Sequence, residues 1–104
     1  MDTLGHLPSI RRGHSCNVAF DSKHSLVFFG GIYGYAKMLN DVHILDLKTM
    51  KWEKPLIGGR TPDPRAWHCS CLNRTYLFIY GGMLENGSVS NEVFILDLVL
   101  SYWH

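Results

Sequence analysis

Residues 26–31 read LVFFGG, and residues 76–82 read YLFIYGG. In both, a short run of strand-forming residues stops abruptly on two glycines. β-Branched and aromatic side chains favour a pleated, half-buried surface. Adjacent glycines serve positions that need φ > 0 or a close approach of backbone. A motif of this kind occurring twice asks for a repeat.

The second half of the chain echoes the first in one register. Gly30-Gly31 returns 51 residues later as Gly81-Gly82, and Asn40-Asp41-Val42 as Asn91-Glu92-Val93. Ile44-Leu45-Asp46-Leu47 returns as Ile95-Leu96-Asp97-Leu98, and Trp52 as Trp103, at the same offset. Upstream of the glycines the offset is 54, pairing Pro8 with Pro62, Arg11 with Arg65 and His14 with His68. The three extra residues of the first unit fit the turn DSKHS (21–25), against the shorter NRT (73–75). Turns absorb insertions where strands do not.

Each unit reads as four short strands. They fall at 14–20, 26–30, 41–47 and 51–54, then at 68–72, 76–80, 92–98 and 102–104. In VHILDL and VFILDL both alternating sets of side chains are largely apolar. A strand apolar on both sides belongs to a sheet covered on both faces. Small sheets stacked face to face supply that environment.

The combined pattern resembles the kelch repeat. It comprises a strand ending in Gly-Gly, then Asn-Asp/Glu-Val, a strand ending Asp-Leu and a Trp six residues after that Asp. Arg-x-x-His upstream, from Arg11 to His14 and Arg65 to His68, also fits, so the resemblance runs from Pro8 to Trp103. It implies an all-β fold: two four-stranded antiparallel blades of a kelch-type β-propeller, in an incomplete ring. Residues 1–54 would form the first repeat with an N-terminal connecting segment, and 55–104 the second with the inter-blade connection. It further implies a structural motif of Gly30, Gly31, Gly81, Gly82, Trp52, Trp103, His14 and His68. Within it the glycines let neighbouring chain and the repeat's Trp pack closely.

Propellers close with four or more blades, and two blades leave outer faces open. Four strands about 4.8 Å apart and about 20 Å long make a face of about 400 Å². Open apolar area on that scale marks an interface or an aggregation hazard. Three expectations follow: a piece of a longer propeller, closure as a homo-oligomer (trimer or tetramer), or a capped two-blade protein.

Composition narrows the function. The 104 residues carry net charge +1, 46% hydrophobic and 12% aromatic residues, which describes a globular domain. Arg11-Arg12 is the one basic pair, too little for a phosphate-tracking surface, so nucleic acid is not expected as a partner. No apolar run reaches 18 residues, and MDTLGHLPSIRRG lacks the pattern of a secretory leader. No membrane association is expected, and a cytoplasmic setting suits three cysteines, Cys16, Cys69 and Cys71, that form no paired framework.

Catalytic patterns in the sequence are incomplete. His14 and His68 recur, but a metal site needs three or four convergent ligands. Cys69 and Cys71 share a strand face about 6.6 Å apart, too far for comfortable chelation. Gly13-His14-Ser15-Cys16-Asn17 lacks the closing Gly of a nucleophile elbow. Neither a P-loop nor a dinucleotide fingerprint is present. No metal, cofactor or enzymatic activity is therefore expected. The alternative is a segment of an enzymatic propeller resembling copper oxidases or sugar epimerases.

Recognition is assigned to one rim. In an up-and-down blade the B–C loops and D–A connections share a rim, and here they are the longer segments: 32–39, 83–90 and 53–67. Long loops on a rigid scaffold carry recognition. Tyr33, Tyr35, Lys37, Arg60, Met83 and Glu85 are the candidate contacts with a protein partner, Tyr and Arg being enriched at hot spots. Arg11 and Arg65 lie near the same rim. Each meets either an acidic peptide or a local carboxylate, and the sequence leaves both open. The resulting expectation is a non-catalytic protein-interaction module. Its roles could be adaptor or scaffold, ubiquitin-ligase substrate recognition, cytoskeletal attachment or trafficking.

Overall fold

A computed structural model describes residues 4–5, 8–19, 24–35 and 37–104. All described secondary structure is β. The first sheet has five strands in the order β1 (Leu4–Gly5), β5 (Lys51–Glu53), β4 (Lys37–Asp46), β3 (Ser25–Tyr33), β2 (Ser15–Ala19). The second repeats it: β6 (Gly58–Gly59), β12 (Tyr102–Trp103), β11 (Val93–Asp97), β9 (Tyr76–Tyr80), β8 (Cys69–Asn73). Between them β7 (Arg65–Ala66) pairs with β10 (Met83–Leu84). Each large sheet is thus a four-stranded antiparallel blade with a fifth, two-residue parallel strand on its outer edge. The all-β, two-blade architecture expected from the repeat is what the chain forms.

Local chemistry explains the turns. Asp46 and Asp97, the repeated acid of Leu-Asp-Leu, each fold their side chain back on the backbone. Asp46 Oδ1 accepts from the amides of Lys48 and Thr49 at 2.8 and 3.3 Å. Asp97 Oδ1 accepts from those of Val99 and Leu100 at 2.9 and 3.0 Å. Both turns close on a non-glycine residue with positive φ, Met50 (56°) and Ser101 (52°). Asp is well placed in this role, because its short acceptor mimics a backbone turn.

Pairing fixes which side chains meet between the sheets. Ser15, Asn17, Val27, Phe29, Val42 and Ile44 share one face of the first blade by register. Ser70, Leu72, Leu77, Ile79, Phe94, Leu96 and Trp103 share one face of the second. These faces pack together into one core, with Phe29, Ile79 and Leu96 fully buried. Trp103, 1% exposed, sets its ring edge-on to Phe29 of the other blade at 5.5 Å between centroids. A smaller cluster of Ile32, Met38 and Ala66, with Met83 against it, ties the B–C hairpin of the first blade to β7 and β10.

Two expectations about loops change. Residues 32–39 were expected as loop, yet β3 runs on to Tyr33 and β4 begins at Lys37, leaving a tight hairpin. The chain passes Gly30 and Gly31 through a register shift and continues to pair, with Ile32 opposite Met38. The three-residue insertion assigned to 21–25 falls mostly on 21–23, outside the described residues.

The glycine pairs do have the required geometry. Gly30 and Gly31 have φ of 72° and 104°, and Gly81 and Gly82 73° and 95°. A Cβ on Gly31 would lie 2.9 Å from the Arg12 carbonyl oxygen and 3.0 Å from His14 Cβ. One on Gly82 would lie 2.9 Å from both the Ala66 oxygen and His68 Cβ. The chain that closes on the glycines is therefore the Arg-x-x-His segment, not Trp52 or Trp103. The tryptophans are approached by other glycines: a Cβ on Gly5 or Gly59 would run into the carbonyl of Trp52 or Trp103.

Candidate interaction rim

The D–A connections and B–C loops come together through backbone. Arg12 and Ile32 exchange both amide–carbonyl bonds, at 3.1 and 2.7 Å. Asn40 Nδ2 donates to the Pro62 carbonyl at 3.1 Å, linking the first blade to the connection that follows it. Arg12 Nη1 donates to the Gly34 carbonyl at the hairpin tip at 3.2 Å.

The two Arg-x-x-His arginines are engaged internally. Arg11, its side chain 5% exposed, grips Asp41 with two donors, Nη2 lying 3.0 Å from Oδ2, and also donates to the Gly30 carbonyl. His43 Nε2 meets Asp41 from the other side at 2.8 Å. Burial tends to raise the Asp41 pKa, but the hydrogen bonds and charges of Arg11 and His43 outweigh it and hold the carboxyl below its ordinary value. Here the local carboxylate is the partner found.

Arg65 solves the same problem differently. It is fully buried, donating to the Asp63 carbonyl (3.0 Å), the Gly81 carbonyl (2.9 Å) and Ser90 Oγ (3.1 Å). Its guanidinium lies 4.9 Å over the Phe94 ring, where the first repeat has His43. Glu92, the counterpart of Asp41, is turned out toward Arg60, 4.0 Å away. Burial pulls the Arg65 pKa down, with Glu92 and Asp63 pulling it up. An arginine so enclosed has no donor on the rim surface.

The remaining candidates differ in presentation. Tyr33 and Lys37 flank the hairpin and are exposed, and Tyr35 at its tip is 102% exposed. Glu85 is exposed beside a shallow groove lined by Asp63, Pro64, Leu84 and Asn86. Met83 is not presented: it is half-buried in the Ile32–Met38–Ala66 cluster. Arg60 is exposed, but its contacts are with Glu92 and, through its amide, the Trp103 carbonyl at the outer edge.

Trp67 was missed from sequence. The residue is 55% exposed, and its backbone sits at φ 55°. Offset 54 aligns it with Gly13, which adopts φ 71°. The second repeat therefore places a large aromatic where the first uses the residue that suits this conformation. The amide of Trp67 donates to the Gly13 carbonyl at 2.7 Å, and a Cβ on Gly13 would lie 3.1 Å from the Trp67 ring. A left-handed φ costs a residue with a Cβ about 1–2 kcal/mol. The signal was the mismatch itself, Trp for Gly in an otherwise aligned motif.

His68 joins the blades below the rim. Its Nε2 lies 2.9 Å from Ser15 Oγ, and its ring meets Phe29 edge-on at 5.1 Å. Burial, then the Arg65 charge, lowers its pKa to about 4. The unfolded chain, with His near 6.5, binds more protons between these values, so stability rises with pH across that window. We expect acidification from pH 6.5 to 4 to remove up to about 3 kcal/mol through this residue. Urea midpoints measured against pH should show the loss, and His68→Gln should flatten it.

Among the described residues, no three or more His, Cys, Asp and Glu side chains are placed to hold a metal ion. No helix there is long and apolar enough to cross a membrane.

Strand order, glycine conformation and the blade-to-blade tryptophan define a protein of propeller blades. The match to known families agrees: the KLHDC2/KLHL20/DRC7 Kelch-repeats domain matches residues 1–104. The chain belongs to the kelch-repeat family. It is 36% identical over 104 residues to acyl-CoA-binding domain-containing protein 5 of Arabidopsis thaliana, covering 99% of this chain and 15% of that protein. It is 30% identical to host cell factor of Drosophila melanogaster, covering 99% of this chain and 6% of that protein. Adagio protein 3 of Arabidopsis thaliana is 40% identical over 94 residues, covering 88% and 14%. Thus the chain spans a small fraction of the length of these relatives. Among solved structures, YjhT superposes with TM-score 0.74 at 18% identity, covering 90% of this chain and 37% of that one. That likeness shows the fold, a kelch propeller of which two blades are present here.

Proposed function

We propose that the chain is a non-catalytic protein-binding segment of a kelch propeller, acting as an adaptor or scaffold in the cytoplasm. Units 1–54 and 55–104 would be its two blades. The observation that carries this reading is the rim: Tyr33, Tyr35 and Trp67 stand exposed on backbone that hydrogen bonds and the Ile32–Met38–Ala66 cluster hold rigid. Rigid aromatics give contact area at low entropic cost, as hot spots require. Lys37 and Glu85 add charge of both signs around them. Arg60 belongs to a separate, outer-edge patch, and Met83, Arg11 and Arg65 support the surface from beneath.

The expected occupant is a peptide or loop of a partner protein, which could serve ubiquitin-ligase substrate recognition, cytoskeletal attachment or trafficking. The test is a pulled-down partner titrated against variants. Tyr33→Ala with Tyr35→Ala should weaken binding about tenfold or more, with the melting temperature unchanged. Trp67→Gly should weaken it similarly, while stability stays within about 1 kcal/mol because relief of φ strain offsets the lost ring packing. Unaltered affinity in both would reject this rim.

A further inference from the structure

The gap between the two blades is filled unevenly. Much of it is closed by the core around Phe29, Ile79 and Leu96. At the end away from the rim, beside the turn between β11 and β12, it keeps a cavity of about 300 Å³. Ser25, Val27, Ile44 and Asp46 of the first blade line it, with Leu98 and Val99 of the second. Both walls therefore belong to this chain.

Comparison of the repeats explains the space. Ala19, which also lines the cavity, Ser25 and Val27 correspond to Asn73, Tyr76 and Phe78 of the second blade. The pairing is the same in both: Ala19 lies opposite Ser25 as Asn73 does Tyr76, and Val27 opposite Ile44 as Phe78 does Ile95. At all three positions the first blade has the smaller side chain, on one face of one sheet. Protein interiors hold few voids larger than a water molecule. Three concerted reductions that leave such a void point to an occupant.

The lining supplies charge of one sign. Asp46 and Glu53 are diagonal neighbours on adjacent strands, since Glu53 lies opposite Ile44; such neighbours stand about 7–8 Å apart. Asp46 already accepts two turn amides through Oδ1, and a carboxylate offers about four acceptor sites in all. No Lys, Arg or His is among the described lining residues, and Lys51, opposite Asp46 in the ladder, is exposed outside the cavity. Where the first repeat has Glu53 the second has His104, so the acid is also particular to this gap. Ser25, 4% exposed, adds a hydroxyl with no hydrogen-bond partner among the described residues.

We propose that this cavity binds a small organic cation, an ammonium on an apolar stem with about ten non-hydrogen atoms in all. Asp46 and Ser25, opposite each other in the ladder, accept from the ammonium, and Glu53 adds its charge from the next strand. The stem packs on Val27, Ile44 and Leu98. The site lies at the far end of the blades from the rim, so this inference and the rim proposal can fail independently.

The test titrates the whole chain at neutral pH with phenethylammonium, 2-phenylethanol and phenylacetate, which match in size and differ in charge. Binding is followed by amide and methyl chemical shifts. Phenethylammonium should saturate with a Kd of about 1 mM or tighter and shift Ala19, Ile44 and Leu98. The alcohol should bind about tenfold more weakly and phenylacetate weaker still. Glu53→Gln should weaken the cation about fivefold and leave the alcohol unchanged, a contrast that a folding defect does not produce. Ser25→Tyr, which installs the second repeat's residue, should fill the cavity and remove binding of both while the melting temperature holds. Equal affinity for cation and alcohol, shifts confined to the rim, or no saturation by about 10 mM overturns the proposal. Tighter binding of Nα-acetyl-lysine amide than of phenethylammonium also overturns it, assigning the cavity to a lysine of a partner protein.

Discussion

Trp103→Ala is expected to cost about 3–5 kcal/mol, the largest single loss in the molecule. The indole is 1% exposed, stands opposite Leu96 across the sheet and contacts Phe29 of the other blade. Truncation therefore removes a contact within one blade and another between blades. A small domain holds about 5–15 kcal/mol in all, so this loss takes a large share of it. Urea unfolding followed by far-ultraviolet circular dichroism should show most of the cooperative transition gone at 25 °C. Trp52→Ala is the control: this half-buried ring packs on Phe28 of its own sheet at 5.1 Å, and its loss should cost about 1–2 kcal/mol. Equal losses would mean that the blade-to-blade contact contributes little.

Arg65→Ala is expected to follow at about 3 kcal/mol, lowering the melting temperature by about 10–20 °C. The residue collects acceptors from three stretches of chain, at Asp63, Gly81 and Ser90. Alanine leaves those acceptors unpaired and opens a cavity beside Phe94. Arg65→Lys should recover part of the loss, since one ammonium cannot reach all three sites. Arg11→Ala should cost less, because Asp41 keeps His43 as a partner and is nearer to water. A thermal melt of the three variants ranks them, and Arg11→Ala as the worst would contradict this account.

Much of the fold was legible because the repeat is carried by residues with narrow physical roles. Glycines at φ > 0, aspartates that cap their own turns and a tryptophan at the blade edge tolerate few substitutes, so they remained visible at 51 residues' spacing. What escaped had no such pattern. The edge strands β1 and β6 are two residues long, too short for any periodicity, although Gly5 and Gly59 do stand 54 apart. The extension of β3 past its glycines depended on Ile32 and Met38 finding Ala66, a contact between repeats that no local window contains. At the rim, sequence could name aromatic and charged residues but not their depth. It could not tell Tyr35 in solvent from Met83 in packing, or an Arg65 turned inward from one turned out.

The parallel edge strands have a consequence for where a blade begins. Lys51–Glu53 would be a bare border if Leu4–Gly5 did not lie along it, and Tyr102–Trp103 likewise without Gly58–Gly59. Each border is hemmed by the stretch that leads into the same leaf, from upstream of its innermost strand. Trimming the chain to start at Pro8 would unhem the first leaf and leave a template for amyloid-like stacking. Any transplant of a leaf between proteins should therefore carry its leading dipeptide with it.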